Sequence, residues 1–332
     1  MKKSTFDFVR ETGRDKIWKA INRELRDVLD EKGMLRKELR RYVRCALCDV
    51  DDAEPVFTKQ GFRFVMCRRC GLIYVNPQKK TGELQYRDEA RRSYDLWVGM
   101  VLQSRAEREY DAKKFSGMCR DLERLTGSRG RVLDIGCSLG HFLEIARSRG
   151  WDTVGLEFNR KAVRHATRVL GLDVRAVALS DAGFKPGSFD AVTLWEVLEH
   201  VSDPGKLLQE CARYIRPGGV LGVLVPNRNA LSAMIMHERC SCFGGRDHLW
   251  HFSRDTLSRL LKKTGFTEIR GETRTQLSQV NEILGHLSYR DPYNSPPGKH
   301  DFRLAKKTRE KLERFIFDHH LGYKLLMYAE RD

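Results

Sequence analysis

The sequence predicts an α/β protein: a doubly wound, mostly parallel sheet preceded by a small ribbon and a helical connector. Two observations carry that reading. From Arg131 onward, apolar runs of strand length alternate with stretches of helical periodicity, the order that builds a parallel sheet with helices on both faces. Before it, four of the nine cysteines stand in two close pairs among short alternating apolar runs. With 332 residues and 41% apolar composition, the chain is long enough to bury a substantial core.

The elements follow in order. Residues 1–44 form a basic helical arm with 14 Lys/Arg against 8 Asp/Glu. Within 15–44, Ile17, Ile21, Leu25, Val28 and Leu29 recur at helical spacing, which predicts a surface helix broken near Gly33. Residues 45–80 hold the cysteine pairs. The connector, 81–130, reads as helical over 84–125 and is ended by the glycines of 127–130. From 131 to 275, RVLDIG, DTVGLE, DVRAVA, AVTLW, VLGVLVPN and FTEIRGETR read as strands. Between them HFLEIARSRG, RKAVRHATRVLG, PGKLLQECARYI and RDTLSRLLKKTG read as helices. Residues 276–332 begin with an irregular capping insertion over 276–302, continue in a charged helix over 304–317 and end in YKLLMYAE, the last strand.

The formal charge of +16 is spread thinly outside the arm. Such a balance favours anionic partners in general, whether phosphorylated small molecules, RNA or an acidic surface. No apolar run approaches the length of a membrane span, and MKKSTFDFVRETGRDK breaks into charges before a signal peptide can form. A soluble, cytoplasmic chain is the expectation.

In a reducing compartment paired cysteines hold metal more often than disulfides. Cys45 and Cys48 form one C-x2-C knuckle, and Cys67 and Cys70 form another 18 residues later. Four soft ligands from two tight turns match a closed, structural zinc site, so 45–80 reads as a zinc ribbon. Asp49, Asp51, Asp52 and Glu54 lie between the knuckles and would repel phosphates, which argues against a nucleic-acid partner. His237, Cys240 and Cys242 match a second metal site only loosely.

The turn after the first core strand, DIGCSLG, places Gly136 and Gly140 where backbone can approach a nucleotide-like ligand at the carboxyl end of a parallel sheet. Glu157 ends the next strand, where a carboxylate can accept two hydrogen bonds from ribose hydroxyls. The turn lacks the tighter G-x-G-x-x-G of dinucleotide enzymes.

The succession VLDIGCSLG, VGLE, GSFDAVTLWEVLEHV, LLQECARYIRPGG, VPN and DHLWHFSRDTLSRLLKKTGF resembles class I S-adenosylmethionine-dependent methyltransferases, in the branch related to ubiquinone-biosynthesis and sugar or polysaccharide enzymes. The resemblance implies a Rossmann-like core and S-adenosylmethionine as cofactor. By this likeness Asp134 and Gly136 lie at the methionine part, Cys137, Ser138 and Gly140 wrap it by backbone, and Glu157 holds the ribose. Ser138 replaces the glycine most common there. Ala178 stands where many relatives carry an acid, so adenine recognition falls to the backbone of Leu179, with Asp181 as a helper. Trp195 joins the cofactor set at the end of the fourth strand. Some sugar and polysaccharide methyltransferases carry a similar N-terminal zinc segment, ending like CGLIYVNP.

Methyl transfer from a sulfonium is an in-line displacement, and a hydroxyl acceptor also needs a base or a metal ion to lose its proton. Candidate bases belong beside the carboxyl ends of the fourth and fifth strands. If a helical turn begins at Glu196, then Glu199 and His200 fall on its side and all three meet at one divalent metal. Some relatives use a comparable E-x-x-E-H in that way. In the plainer alternative Glu196 flanks the cofactor and Glu199 supports the turn, with His200 either a base or substrate contact or, like them, purely structural. His248 and His251, in a segment expected to reach over the pocket, are further candidates for substrate contact or proton transfer, while Ser253 reads as a helix N-cap.

These features predict methyl transfer to a small molecule, in particular O-methylation of a sugar, a glycan precursor or a related metabolite. Two alternatives stand beside it. One is an RNA ribose methyltransferase that binds through ribbon and arm; the other is a non-catalytic module that retains the cofactor fold.

Overall fold

A seven-stranded sheet carries its strands in the order Phe266–Arg274, Lys324–Arg331, Ile215–Pro226, Phe189–Trp195, Arg131–Ile135, Asp152–Leu156 and Asp173–Arg175. The computed structural model describes residues 14–80, 92–274 and 305–332. The first thirteen residues of the arm, the start of the connector and the capping insertion expected over 276–302 lie outside the described residues. Phe189–Trp195 pairs in parallel with Ile215–Pro226 and with Arg131–Ile135, and Asp152–Leu156 with both Arg131–Ile135 and Asp173–Arg175. Phe189–Trp195 and the latter part of Ile215–Pro226 are buried almost throughout. That is why they read as near-continuous apolar runs: both faces of a central parallel strand are covered. The last strand of the chain inserts between the strands that begin at Ile215 and Phe266. Strand order reverses at Arg131–Ile135, and a crevice at the carboxyl ends follows from that reversal.

Two compact units divide the chain: 81–225 with 257–271 and 327–332, and 1–80 with 226–256 and 272–326. In the first, the connector is two helices, Arg92–Gln103 and Arg105–Thr126. Ser104 separates them because its hydroxyl accepts the Glu107 N–H and caps the second helix. Gly127, at φ +69°, ends that helix as expected. The strand expected over DVRAVA is confined to Asp173–Arg175, and Leu179–Asp181 instead makes a single 3-10 turn.

In the second unit the ribbon is a four-stranded sheet in the order Trp250–His251, Ile73–Val75, Phe62–Cys67, Ala53–Lys59. Its hairpin turns at Gln60 and Gly61, both with positive φ, the two-residue geometry whose twist suits antiparallel strands. The helix expected over 15–44 stops at Arg26. Beyond it Asp30 Oδ1 accepts the N–H groups of Lys32 and Met34, and Leu35 N–H bonds the Gly61 carbonyl. A short acidic side chain competes there with helical bonding, and the turn delivers Leu35 to the same core as Leu25, Phe62, Phe64 and Phe243.

The segment expected to be a loop over the pocket supplies the fourth ribbon strand: Trp250 lies opposite Tyr74 and His251 opposite Ile73. Arg228 Nη1 ties the same segment to the second knuckle, 2.6 Å from the Gly71 carbonyl.

Candidate functional site

The turn between Arg131–Ile135 and the helix His141–Ser148 is built from residues in left-handed backbone: Gly136 at φ +72°, Ser138 at +48° and Gly140 at +81°. Gly136 and Cys137 both donate to the Leu156 carbonyl, at 2.8 and 3.1 Å, so the neighbouring strand holds the turn flat. A Cβ on Gly136 would lie 2.6 Å from Val197 Cγ2, so only glycine lets the exit of the fourth strand pack on this turn. Cys137 is buried, its sulfur in the space that a side chain on Gly155 would take.

Asp134 and Glu157 bracket this turn from adjacent strands. Sheet register places Asp134 opposite Thr193, whose hydroxyl donates to Asp134 Oδ1 at 2.7 Å. With only 2% of its surface exposed, burial pushes the Asp134 carboxyl up to about 8, against the opposing effect of the Thr193 bond. Glu157 Oε2 accepts the Ser138 N–H at 2.9 Å, and its Oε1 accepts the Asn159 N–H at 2.7 Å. Burial raises its pKa too, and these backbone donors counter it.

Sequence reasoning missed three residues that brace this arrangement. Thr193 is one. Asn159 caps the helix Arg160–Arg168 and reaches Asp95 at 3.0 Å. Tyr94, from the connector, donates to Ser138 Oγ at 3.3 Å. Asn159 was legible as a cap before RKAV; Thr193 and Tyr94 depend on register and on long-range packing.

Leu179 is buried at the head of its 3-10 turn, and Asp181 closes that turn onto the Ala178 carbonyl. The Trp195 ring packs edge-on against Phe142 and Tyr328, and its Nε1 is buried with no hydrogen-bond partner.

No helical turn begins at Glu196. Its φ is +60°, its N–H bonds the Leu224 carbonyl at 2.7 Å, and the following helix starts only at Pro204, capped by Asp203. Among the described residues the ligand atoms of Glu196, Glu199 and His200 do not converge as one metal set. A left-handed residue turns the chain away from the spacing that a helix would impose. Glu199 is 1% exposed, and its Oε1 lies 3.9 Å from Nε2 of the partly exposed His200.

In the ribbon unit, the His251 ring is 4% exposed and sits 5.1 Å from Phe64 and 5.2 Å from Phe243. Burial drives its pKa well below the usual histidine range, with His248, Lys59 and Arg228 adding repulsion. His248 is half-buried, with Nδ1 2.9 Å from the Cys242 carbonyl. Ser253 caps the helix Arg254–Lys263 as expected, its hydroxyl accepting the Thr256 N–H while Thr256 returns the bond. Cys240 and Cys242 are buried and do not gather with His237 into a ligand set among the described residues.

The four ribbon thiols do gather. Cys45 Sγ is 3.4 Å from Cys70 Sγ, Cys48 Sγ is 3.4 Å from Cys67 Sγ, and all four atoms lie within 4.8 Å of one another. Each knuckle ends in a left-handed residue, Asp49 or Gly71. Backbone N–H groups of Leu47 and Cys48 point at Cys45, and those of Arg69 and Cys70 at Cys67, donors suited to sulfur carrying negative charge.

Residues 110–270 match the family model described as a methyltransferase domain. The ubiquinone biosynthesis O-methyltransferase of Thiobacillus denitrificans is 31% identical over 167 residues, covering 46% of this chain and 72% of that protein. The enzyme of the same name from Cupriavidus pinatubonensis is 33% identical over 179 residues, covering 49% of this chain and 71% of the relative. A SAM-dependent methyltransferase from Thermotoga maritima superposes with a TM-score of 0.50 at 17% identity, covering 75% of this chain and all of that one, which speaks for the fold alone. Among the described residues no helix is long and apolar enough to cross a membrane. With this relatedness and the strand order above, the chain belongs to the class I S-adenosylmethionine-dependent methyltransferases.

Proposed function

We propose that this methyltransferase methylates a hydroxyl of a small molecule, with a sugar or glycan precursor as the acceptor. The observation that carries the cofactor site is the pair of buried acids, Asp134 and Glu157, bracketing one left-handed turn where the sheet order reverses. Buried carboxylates without an adjacent cation are costly, and a ligand bearing an ammonium and a sulfonium fits them. S-adenosylmethionine supplies an electrophilic methyl group there. Asp134 orients the amino group, the backbone of 136–140 wraps the methionine part, Glu157 accepts from the ribose, and Leu179 and Trp195 border the adenine side.

Support for oxygen as the methylated atom comes from the relatives named as O-methyltransferases. Support for a sugar comes from the N-terminal four-cysteine segment. His200 is the proposed base. It takes the hydroxyl proton at Nε2, where the buried Glu199 carboxylate, 3.9 Å away, stabilises the resulting cation. Glu196, fixed by its left-handed backbone, borders the acceptor rather than holding a metal. His251, packed between phenylalanines, and His248, held to Cys242, serve the ribbon's structure in this reading.

The ribbon carries zinc in the proposed assignment, bound by Cys45, Cys48, Cys67 and Cys70. Four sulfurs with backbone donors leave no open position, so the ion's role is structural. Residues 45–80 are thus the zinc ribbon and 131–275 the stretch that holds the transfer site.

The test is release of S-adenosylhomocysteine from the purified chain across a panel of free and nucleotide-linked sugars, catechols and amines. Turnover with hydroxyl acceptors that vanishes in D134A and E157A is expected. Turnover confined to amines would overturn the oxygen assignment, and retained cofactor affinity in both variants would overturn the site.

A further inference from the structure

Two buried donors beside the four ribbon thiols have incomplete hydrogen bonds. The first is Arg228, which reaches the second knuckle from the segment that follows Pro226. Its Nη1 donates to the Gly71 carbonyl at 2.6 Å, a neutral acceptor, while its Nε is buried with no hydrogen-bond partner. Burial lowers the Arg228 pKa, and the negative groups that oppose the fall are Cys70 and the exposed Asp255. Backbone bonds fix this approach. Arg228 N–H donates to the Phe252 carbonyl at 2.9 Å, and Asn227 Nδ2 donates to the Gly322 carbonyl at 2.9 Å.

Tyr74 is the second donor. It has no exposed surface, and its hydroxyl has no hydrogen-bond partner. Val65 stands directly opposite Tyr74 in the antiparallel sheet, and Cys67 lies two residues beyond Val65, so Tyr74 and Cys67 share one face. Diagonal neighbours at that register are within reach of an aromatic side chain. From the strand on the other side, the Trp250 ring packs against Tyr74 at 5.5 Å. Burial raises the hydroxyl pKa, and the charges of Cys45, Cys67, Asp51 and Cys48 raise it further.

Buried donors in native proteins almost always find an acceptor. Around a divalent ion four thiols become four thiolates, and net negative charge remains after the ion is counted. Exposed arginines of the knuckles are already committed elsewhere, Arg44 to Asp49 and Arg68 to Asp52 and Glu54. A purely structural tie from Arg228 to Gly71 leaves both its Nε and the Tyr74 hydroxyl without an acceptor.

We propose that Arg228 and Tyr74 are positioning residues of the ribbon's metal centre, the guanidinium compensating charge at Cys70 and the phenol donating on the Cys45 and Cys67 side. The inference rests on the zinc assignment above. Hydrogen bonds from a cation or a hydroxyl stabilise thiolate over thiol and dull its nucleophilicity. Partners of this kind around metal ligands govern how tightly the metal is held.

Cobalt(II) in place of zinc in the full chain tests it. The thiolate-to-cobalt charge-transfer band reports electron density on sulfur, and competition with a chromophoric chelator reports affinity. Y74F and R228M should each weaken metal binding by about tenfold. Both should also move the band to lower energy, because a sulfur without its donor releases an electron more easily. R228K keeps the charge beside Cys70 and should stay within about threefold of the parent. R68M removes an arginine already paired with acids and should match the parent in both readouts. Y74F keeps the ring against Trp250, so it remains decisive if R228M fails to fold. Parental affinity and band position in Y74F or in folded R228M would overturn the proposal. So would a loss in R68M equal to that in R228M, or an R228K no better than R228M. A parent chain that gives no four-sulfur cobalt spectrum would overturn the zinc assignment itself.

Discussion

Burial acts on Asp134 and on His251 with opposite signs, and the contrast separates the acids around a left-handed turn from a packed aromatic core. Asp134 and Glu157, in the transfer unit, are acids raised by burial and steadied by a hydroxyl or by backbone N–H groups. His251, in the ribbon unit, is a base pushed down among aromatic rings. In the first, burial disfavours the negative charge until a neighbouring cation compensates it; in the second, burial excludes positive charge from an apolar cluster. In the ribbon unit four sulfurs converge.

The largest effect expected from breaking this contrast lies at those thiols. Replacing Cys67 and Cys70 together by serine should abolish bound zinc and lower the melting temperature by more than about 10 °C, because a small closed site contributes folding energy outright. Elemental analysis with thermal denaturation reads it, and an unchanged melting point would mean the ribbon core suffices alone.

Next comes the cofactor. E157A should weaken S-adenosylhomocysteine binding by about 100-fold in calorimetry, the loss of two hydrogen bonds to a charged group. Third, H200Q should lower kcat by about 100-fold with little change in KM, whereas H251F should leave kcat within about threefold and alter only stability. The reverse result would move proton handling to the ribbon unit.

The smallest effects are in pH dependence, and their signs are opposed. Asp134 has a folded pKa of about 8 against an ordinary value of 3.8, so its charged form is penalised by the fold. The cofactor-free protein therefore loses stability from this group as pH rises from about 4 to 8 and no more beyond. D134N should accordingly melt higher than the parent at pH 8, with the gap closing toward pH 4. His251 has its pKa lowered, so its contribution is intact above about 6.5 and declines below that by about 1.4 kcal/mol per pH unit until its folded pKa is passed. H251F should flatten the acid limb of the stability curve. Parallel melting curves across pH 4–8 would erase the contrast.

Much of the transfer unit was readable along the chain. Strand and helix periods of 131–270 recur in the observed elements because each parallel strand is covered on both faces and each helix on one. The knuckles were readable because a C-x2-C turn is local, four thiols in two tetrapeptides. Harder were elements with few local contacts of their own. The arm's helix stopped early at the Asp30 turn, DVRAVA shortened at the sheet edge, and the histidine segment went to the ribbon.

Glu196 shows where local pattern stops being enough. Spacing alone put Glu196, Glu199 and His200 on one helical face, yet a single positive φ and a bond to Leu224 turned the first away. Composition and period were sufficient for the fold class, the acids that end two strands and the clustered thiols, since these follow from short-range order. Which neighbours those residues meet came from chain folding. Thr193 reaches Asp134 by parallel register, Tyr94 reaches Ser138 across 44 residues of sequence, and His251 finds Phe64 by strand pairing. Such contacts arise only when distant segments are brought into register, and no local preference encodes that register.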